Sequence, residues 1–214
     1  MNLPNNKYKD LYDLVFTEIN IDLEKTDFIT EYSKLSFNDG FLFKTVEPDL
    51  KQKFREILNT VLKPIEKPDF NIKFQRANSD VNDFIFHLIN NESLQSKNWG
   101  LHEDDSDFLQ ITDSYNTEEK FRTLGIYELD KNNLQKRLYT EAKEGSIYID
   151  WKVSDRLTEK MIQQFTDTLF SESDDCRAFE FEVWGDYIMG YFLGFLLINI
   201  SKGQVTFFVK DDYD

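Results

Sequence analysis

The chain has little of the chemistry on which catalytic sequence motifs depend. It contains one cysteine, Cys176, and two histidines, His87 and His102. A single cysteine cannot form an internal disulfide, and two histidines leave little scope for a Cys-His or Ser-His nucleophile. The eight glycines are scattered singly, so no Rossmann or P-loop phosphate signature is present, and no serine lies in a Gly-x-Ser-x-Gly elbow. The sequence therefore favours a protein without catalytic activity and without a cofactor.

Long apolar runs are missing as well. The longest, residues 187–198, is 12 residues long, whereas a membrane-spanning helix needs about 20. No basic region followed by an apolar stretch opens the chain, so we expect no secretory signal. Together with the single cysteine, these observations predict a cytoplasmic protein that does not bind membranes.

Positive charge is scarce, and its scarcity is uneven along the chain. The formal net charge is −15, from 40 acidic and 25 basic residues. Residues 1–100 hold 16 acidic and 13 basic residues, whereas residues 101–214 hold 24 and 12. A surface of this sign repels phosphate backbones, which disfavours nucleic-acid binding, and it accelerates encounter with a basic protein. Acidity also keeps an aromatic-rich chain soluble, and this simpler explanation stays open.

The acidic excess is concentrated in one stretch, residues 101–119, which we call the acidic segment. No lysine or arginine occurs between Lys97 and Lys120. The acidic residues of the segment, which we predict to bind a partner, are Glu103, Asp104, Asp105, Asp107, Asp113, Glu118 and Glu119. A solvated loop is the alternative. We predict no metal site at residues 102–107, because they lack the alternating acids and the sixth-position glycine of an EF-hand loop.

The fold prediction is organised around the last part of the chain. Residues 191–200 and 205–209 are apolar and flank a polar turn, which is typical of a hairpin. Because residues 192–198 would be apolar on both faces, this strand should lie in the middle of a sheet. An amphipathic strand should precede it, with Phe179 and Phe181 facing inward and Glu180 and Glu182 facing outward.

The remaining periodicities predict helices and further strands. Apolar residues spaced by three and four predict helices at residues 8–19, 50–62, 79–89 and 157–169, whereas alternation predicts strands at 70–74, 124–129, 138–142 and 147–153, the last three forming a meander. His87, one turn after Asp83, is interpreted as half of an exposed pair.

We expect a single α+β domain over residues 1–214, mainly an antiparallel sheet from the C-terminal half with helices packed on it. A sub-division near residues 98–120 would separate a mostly helical part from a sheet part.

Taken together, these features predict a non-catalytic acidic protein that binds another protein. The most specific hypothesis is a cytoplasmic inhibitor or immunity protein, an antitoxin that neutralises a basic toxin such as a nuclease. Three alternatives remain. A nucleic-acid mimic would inhibit a DNA-binding protein and would need acids in regular rows, and a carboxylate- or metal-dependent hydrolase would need acids that converge in one pocket. A structural or scaffold protein would use its aromatic residues for self-association.

Overall fold

The computed structural model of the chain describes residues 6–35, 41–62, 75–97, 99, 116–145, 149–171, 175–181 and 191–212. The α-helices of this part are α1 (Lys9–Tyr12), α2 (Asp27–Tyr32), α3 (Lys51–Val61), α4 (Ser79–Ile89), α5 (Glu92–Gln95), α6 (Glu118–Phe121), α7 (Lys131–Glu144) and α8 (Asp155–Leu169). Its strands are β1 (Phe16–Ile19), β2 (Phe41–Pro48), β3 (Gln75–Arg76), β4 (Ile126–Leu129), β5 (Cys176–Phe181), β6 (Tyr191–Asn199) and β7 (Gln204–Asp212). Short 3-10 turns occupy Asn6–Tyr8, Asp22–Lys25 and Ser33–Leu35.

The described strands form one antiparallel sheet in the order β1-β2-β7-β6-β5-β4-β3. The predicted terminal hairpin is confirmed as β6 and β7, and β6 lies at the centre of the sheet, as its apolar sequence requires. Gly203, which has a positive φ of 63°, closes the hairpin turn. The chain is thus an α+β domain, and the strands β1, β2 and β3 come from the half that precedes the acidic segment.

Helices cover both faces of this sheet. On β6, Leu196 and Ile198 pack into the core on the first face, together with α1, α3, α4, α5 and α6. Phe195 and Leu197 point the opposite way, into the core on the second face, together with α2, α7 and α8. Since successive side chains of a strand alternate between faces, a strand that is apolar throughout needs this double cover.

Several predicted helices are confirmed. The stripes of α3, α4 and α8 are buried where spacing by three and four residues placed them, except at the first predicted residue of two of them, since Leu50 and Leu157 are 50% and 47% exposed. Ser154 precedes α8 at the N-cap position, although its side chain makes no capping hydrogen bond. At α4 the capping residue is Asn78, whose side chain accepts a hydrogen bond from the Val81 amide at 3.0 Å.

The predicted meander is wrong. Residues 138–142 belong to α7, which begins where Asp130 Oδ1 accepts a hydrogen bond from the Asn133 amide at 2.7 Å. Leu134, Leu138 and Ala142 recur every fourth residue and bury one side of this helix on the second face. Glycine ends the helix at position 145, where φ is 71°. The apolar window at 138–142 is too short to distinguish a helical period from a strand period.

The third strand of that meander is absent from the described residues 149–153. Trp151 is instead buried in a connection, and its indole Nε1 donates a hydrogen bond to Thr158 Oγ1 of α8 at 2.7 Å. Tertiary contact with α8, rather than strand pairing, therefore holds this apolar stretch. The strand expected at 70–74 lies outside the described residues.

The first predicted helix is also shorter than expected. It ends at Tyr12, and the chain then enters β1, which pairs with β2 from Phe16 opposite Pro48 to Ile19 opposite Thr45. Ile19 therefore continues a strand rather than a helical stripe. Its partner β2 runs from Phe41 to Pro48.

Candidate functional site

The structure locates two of the seven predicted partner-binding residues. Glu118 and Glu119 open α6, whereas Glu103, Asp104, Asp105, Asp107 and Asp113 lie outside the described residues. The sequence explains α6 locally, because Thr117 Oγ1 accepts a hydrogen bond from the Lys120 amide at 3.3 Å. Carboxylates in the first turn also suit the positive end of the helix. The C-terminal end of the acidic segment is therefore a short, capped helix.

Glu118 and Glu119 have different surroundings although they are neighbours. Glu119 is exposed and forms no ion pair within the described part of the chain. Glu118 is partly buried and makes two internal contacts, with His87 Nε2 at 2.8 Å and with Arg122 Nη2 at 3.4 Å. Of these two predicted contacts, Glu119 is the one with a charge that is free to act on a partner.

The contacts of Glu118 belong to a larger group, the polar cluster, which joins α1, α4 and α6. Its members are Tyr12, Asp83, His87, Glu118 and Arg122. The Tyr12 hydroxyl lies 2.5 Å from His87 Nδ1, so both imidazole nitrogens are engaged. Arg122 donates two hydrogen bonds to the Asp83 carboxylate, at 2.5 and 2.6 Å. A bidentate pair of this kind fixes orientation as well as distance.

The interpretation of His87 and Asp83 as an exposed pair is wrong. His87 is 3% exposed and Asp83 is 6% exposed. They lie on one side of α4, but partners from α1 and α6 cover that side, and the Tyr8 ring packs on His87 with centroids 4.7 Å apart. The sequence did contain a signal, because Tyr8 and Tyr12, Asp83 and His87, and Glu118 and Arg122 are three polar pairs, each spaced by four residues. Such pairs mark helix faces that can meet.

The protonation states of the polar cluster follow from its geometry. Burial lowers the pKa of His87, and the hydrogen bond that His87 donates to Glu118 opposes this shift only in part. Burial and the charge of Glu118 raise the pKa of Tyr12. A neutral imidazole that donates from Nε2 to Glu118 and accepts at Nδ1 from the Tyr12 hydroxyl satisfies all three groups. Since a phenol with a raised pKa is a poor nucleophile, this chain of hydrogen bonds suits attachment of α6 rather than covalent catalysis.

Trp99 anchors the fold at the other side of the acidic segment. Its indole Nε1 donates a hydrogen bond to Glu18 Oε2 at 3.1 Å, and its ring packs against Phe207 at a centroid distance of 5.5 Å. Lys44 Nζ donates to the same carboxylate at 2.6 Å, and this hydrogen bond lowers the pKa of Glu18. The residues on both sides of 100–115 are thus fixed on the first face of the sheet, by Trp99 and by α6.

Charges are largely balanced in the described part of the chain. It holds 27 acidic and 22 basic residues, whereas the remaining positions hold 13 and 3. Many exposed carboxylates have a lysine beside them, including Asp10 with Lys53 at 2.9 Å and Asp167 with Lys131 at 2.6 Å. The described part therefore accounts for −5 of the net charge and the remaining positions for −10, of which residues 101–115 supply −5.

Buried carboxylates on the second face are also paired. Glu180, expected on an outward strand face, is buried, and Arg137 Nε donates to its Oε1 at 2.5 Å. The prediction is wrong because β5 lies inside a sheet that is covered on both faces, so it has no outward face. Arg137 also lies 2.5 Å from Glu141 of α7. This group ties α7 to the sheet.

The described residues contain no group of three or more metal-ligating side chains. Residues 102–107, for which the sequence predicts no metal site, are outside them. Within the described part of the chain, no helix is long and apolar enough to cross a membrane. Comparison with protein families, curated proteins and solved structures finds nothing that matches this chain.

Proposed function

We propose that this chain is a non-catalytic protein-binding protein, a cytoplasmic inhibitor or immunity protein that neutralises a basic toxin such as a nuclease. The observation that carries the proposal is the separation of charge. Acidic residues in the described part are largely offset by nearby bases, whereas residues 101–115 contain five acids and no base. A basic partner would therefore meet its strongest attraction at the acidic segment.

The anchors of the acidic segment support this proposal. Trp99 and α6 hold the flanking residues on a rigid face, which lowers the entropy that a binding segment loses when it docks. Glu119 is exposed beside the buried polar cluster and adds a free carboxylate to the same region. Rim charges of this kind act mainly on the association rate, whereas buried anchors supply most of the affinity.

The arrangement of charge favours this function over a nucleic-acid mimic. Carboxylates that imitate a phosphate backbone need to follow one another at regular spacing without intervening cations. On the described surface, acids alternate with lysines and arginines, as in the pairs of Asp155 with Lys143 and Glu47 with Lys51, both at 2.7 Å. This pattern suits a local charged patch better than an extended row.

The test compares two triple variants that remove the same charge from different places. Asp104→Asn, Asp105→Asn and Asp107→Asn remove charge from the acidic segment. Asp10→Asn, Asp155→Asn and Asp167→Asn are the matched control, because each of these carboxylates has a lysine within 2.9 Å. Immobilised wild-type chain and both variants would capture partners from a lysate of the native host, and mass spectrometry would identify the bound proteins.

We expect a basic protein to bind the wild-type chain and the control, and to bind the segment variant with an association rate about tenfold lower at low salt. Stopped-flow measurements over a salt series give this rate, and an assay of the captured protein shows whether its activity is inhibited. An equal loss of rate in both variants would mean that overall charge, rather than the acidic segment, steers binding. Robust turnover of a nucleotide, ester or glycoside by the pure chain would overturn the non-catalytic assignment.

A further inference from the structure

The polar cluster has a property that partner binding does not require: its central group, His87, is a buried imidazole whose pKa is lowered by burial. His87 is buried between three helices, with Tyr8 and Tyr12 on one side, Glu118 of α6 and the next residue after α6, Arg122, on another, and Asp83 on its own helix. These five are the titratable or charged groups that face it within the described residues. Because α6 has only four residues, it depends on tertiary contacts for its stability.

Two kinds of contact hold α6 on α4. Phe121 supplies an apolar contact, with its ring centroid 5.3 Å from that of Phe86. Glu118 and Arg122 supply polar contacts, to His87 and Asp83. Only the polar contacts involve an imidazole, the side chain whose ordinary pKa lies closest to physiological pH.

We propose that the polar cluster is an acid-sensitive latch, in which α6 is held on α4 while His87 is neutral and is released when His87 is protonated. Release would loosen the C-terminal attachment of the acidic segment. The inference concerns the attachment of α6 alone, so it stands whether or not the segment binds a basic partner.

The direction of the effect follows from linkage. Burial lowers the pKa of His87 in the closed state below its ordinary value of 6.5, and opening α6 restores access to water. The open state therefore binds the proton more tightly, so α6 is held fully above the ordinary pKa and loses stability as the pH falls towards the lower pKa of the closed state. Each pKa unit between the two states changes the opening equilibrium about tenfold.

The first measurement follows the imidazole itself. The chain has only two histidines, so His102→Gln leaves His87 as the single histidine signal in an NMR titration. We expect His87 to titrate below 6.5, and to titrate lower still when Glu118→Gln removes the carboxylate that raises its pKa. Glu119→Gln, one residue away and exposed, is the matched control and should leave the titration unchanged. A pKa at or above 6.5 in the folded chain would overturn the proposal.

The second measurement follows α6. Hydrogen exchange of the amides of residues 120–122, corrected for the intrinsic effect of pH, should show protection that falls between pH 7.5 and 5.5. Protection of the α3 core amides is the internal reference and should stay constant. In His87→Gln, which keeps a donor but does not titrate, protection of α6 should not depend on pH.

Two results of the exchange experiment count against the latch. One is protection of α6 that is independent of pH in the wild-type chain. The other is a pH dependence that persists in His87→Gln. If His87→Gln does not fold, Tyr12→Phe replaces it: loss of the hydroxyl that His87 Nδ1 accepts from should shift the pH range of α6 opening, and an unchanged range would contradict the proposal.

Discussion

The two faces of the sheet bury their polar groups differently. On the first face the buried titratable groups, Asp83 and His87, are gathered in the polar cluster where α1, α4 and α6 meet, whereas buried Asn91 donates hydrogen bonds to the Leu11 and Leu14 carbonyls. On the second face polar groups are dispersed through an aromatic core: Thr45 and Thr206 share a hydrogen bond of 2.8 Å between β2 and β7, and buried Lys210 donates to the Gly145 carbonyl. The first arrangement concentrates titratable groups beside the acidic segment, whereas the second distributes polar contacts that join strands to their cover.

This difference indicates separate roles for the two layers. On the second face, each of these contacts joins a strand to one particular neighbour. Lys210, for example, joins β7 to Gly145 at the end of α7. Lys210 is 1% exposed and lies 5.9 Å from the centroid of the Tyr32 ring, so aromatic faces help to accommodate its charge. The polar cluster instead controls one small helix. We therefore expect substitutions on the second face to act on global stability and those in the polar cluster to act locally.

The largest effect is expected at Phe208. Its ring lies 5.3–6.4 Å, between centroids, from the rings of Tyr32, Phe41, Phe43, Phe165 and Phe195. Phe208→Ala should lower the free energy of unfolding by about 4 to 5 kcal/mol, the upper end of the range for this substitution, because the cavity is bounded by rings that cannot all move into it.

Its neighbour on β7 is the matched control. Phe207 points to the first face and packs against Trp99, and Phe207→Ala should cost about 3 kcal/mol. Urea unfolding followed by circular dichroism measures both values. A larger loss at Phe207 than at Phe208 would reverse the comparison between the faces.

A smaller effect is expected where the second face buries its paired hydroxyls. Thr45→Val or Thr206→Val alone should cost about 1 to 2 kcal/mol, because each leaves the other hydroxyl buried without its partner. The double variant should cost clearly less than the sum of the two, since both polar groups are then gone. Additive losses in this double-mutant cycle would show that the hydrogen bond contributes little to joining β2 and β7.

The smallest effect is expected in the polar cluster. Glu118→Gln should lower the free energy of unfolding by about 1 kcal/mol, because it removes charge from hydrogen bonds to His87 and Arg122. Glu119→Gln changes an exposed carboxylate and should cost under about 0.5 kcal/mol. Thermal unfolding of the two variants at pH 7.5 compares them directly, and equal values would mean that the cluster does not stabilise the fold.

The sequence predicted correctly those helices and strands in which the pattern of apolar residues alone shows which side is buried. The stripes of α3 and α8 extend over enough residues to show a period of 3.6, and the apolar runs of β6 and β7 flank a polar turn, which indicates a hairpin. The window at 138–142 is too short to show its period. The helical pattern is visible only in the longer stretch that includes Asp130 and Leu134. Trp151 was misplaced because contact with Thr158 decides its position, and such a contact has no local signature.

The candidate site was less predictable than the fold for a related reason. The local sequence shows that Glu118 and Glu119 are both acidic, but not that one is paired and the other exposed. That difference arises from the tertiary structure, which places His87 beside Glu118 only. The pairing of Tyr12 with His87 joins positions 75 residues apart. Which residues pair over such distances depends on how whole helices pack against one another. Spacing along one helix shows which residues share a face, but it does not show which other helix that face contacts.

The strand order has a consequence for the way the chain is made. The ribosome completes β6 and β7 after every strand that they join, so β2 must wait for a partner more than 150 residues later, with Thr45 bonded to Thr206 across 161 positions. Contacts of such long range slow folding, and until the hairpin emerges the apolar sides of β2 and β5 are uncovered. We therefore expect nascent chains that stop before residue 204 to depend on chaperones, and the domain to acquire its structure in one late, cooperative step.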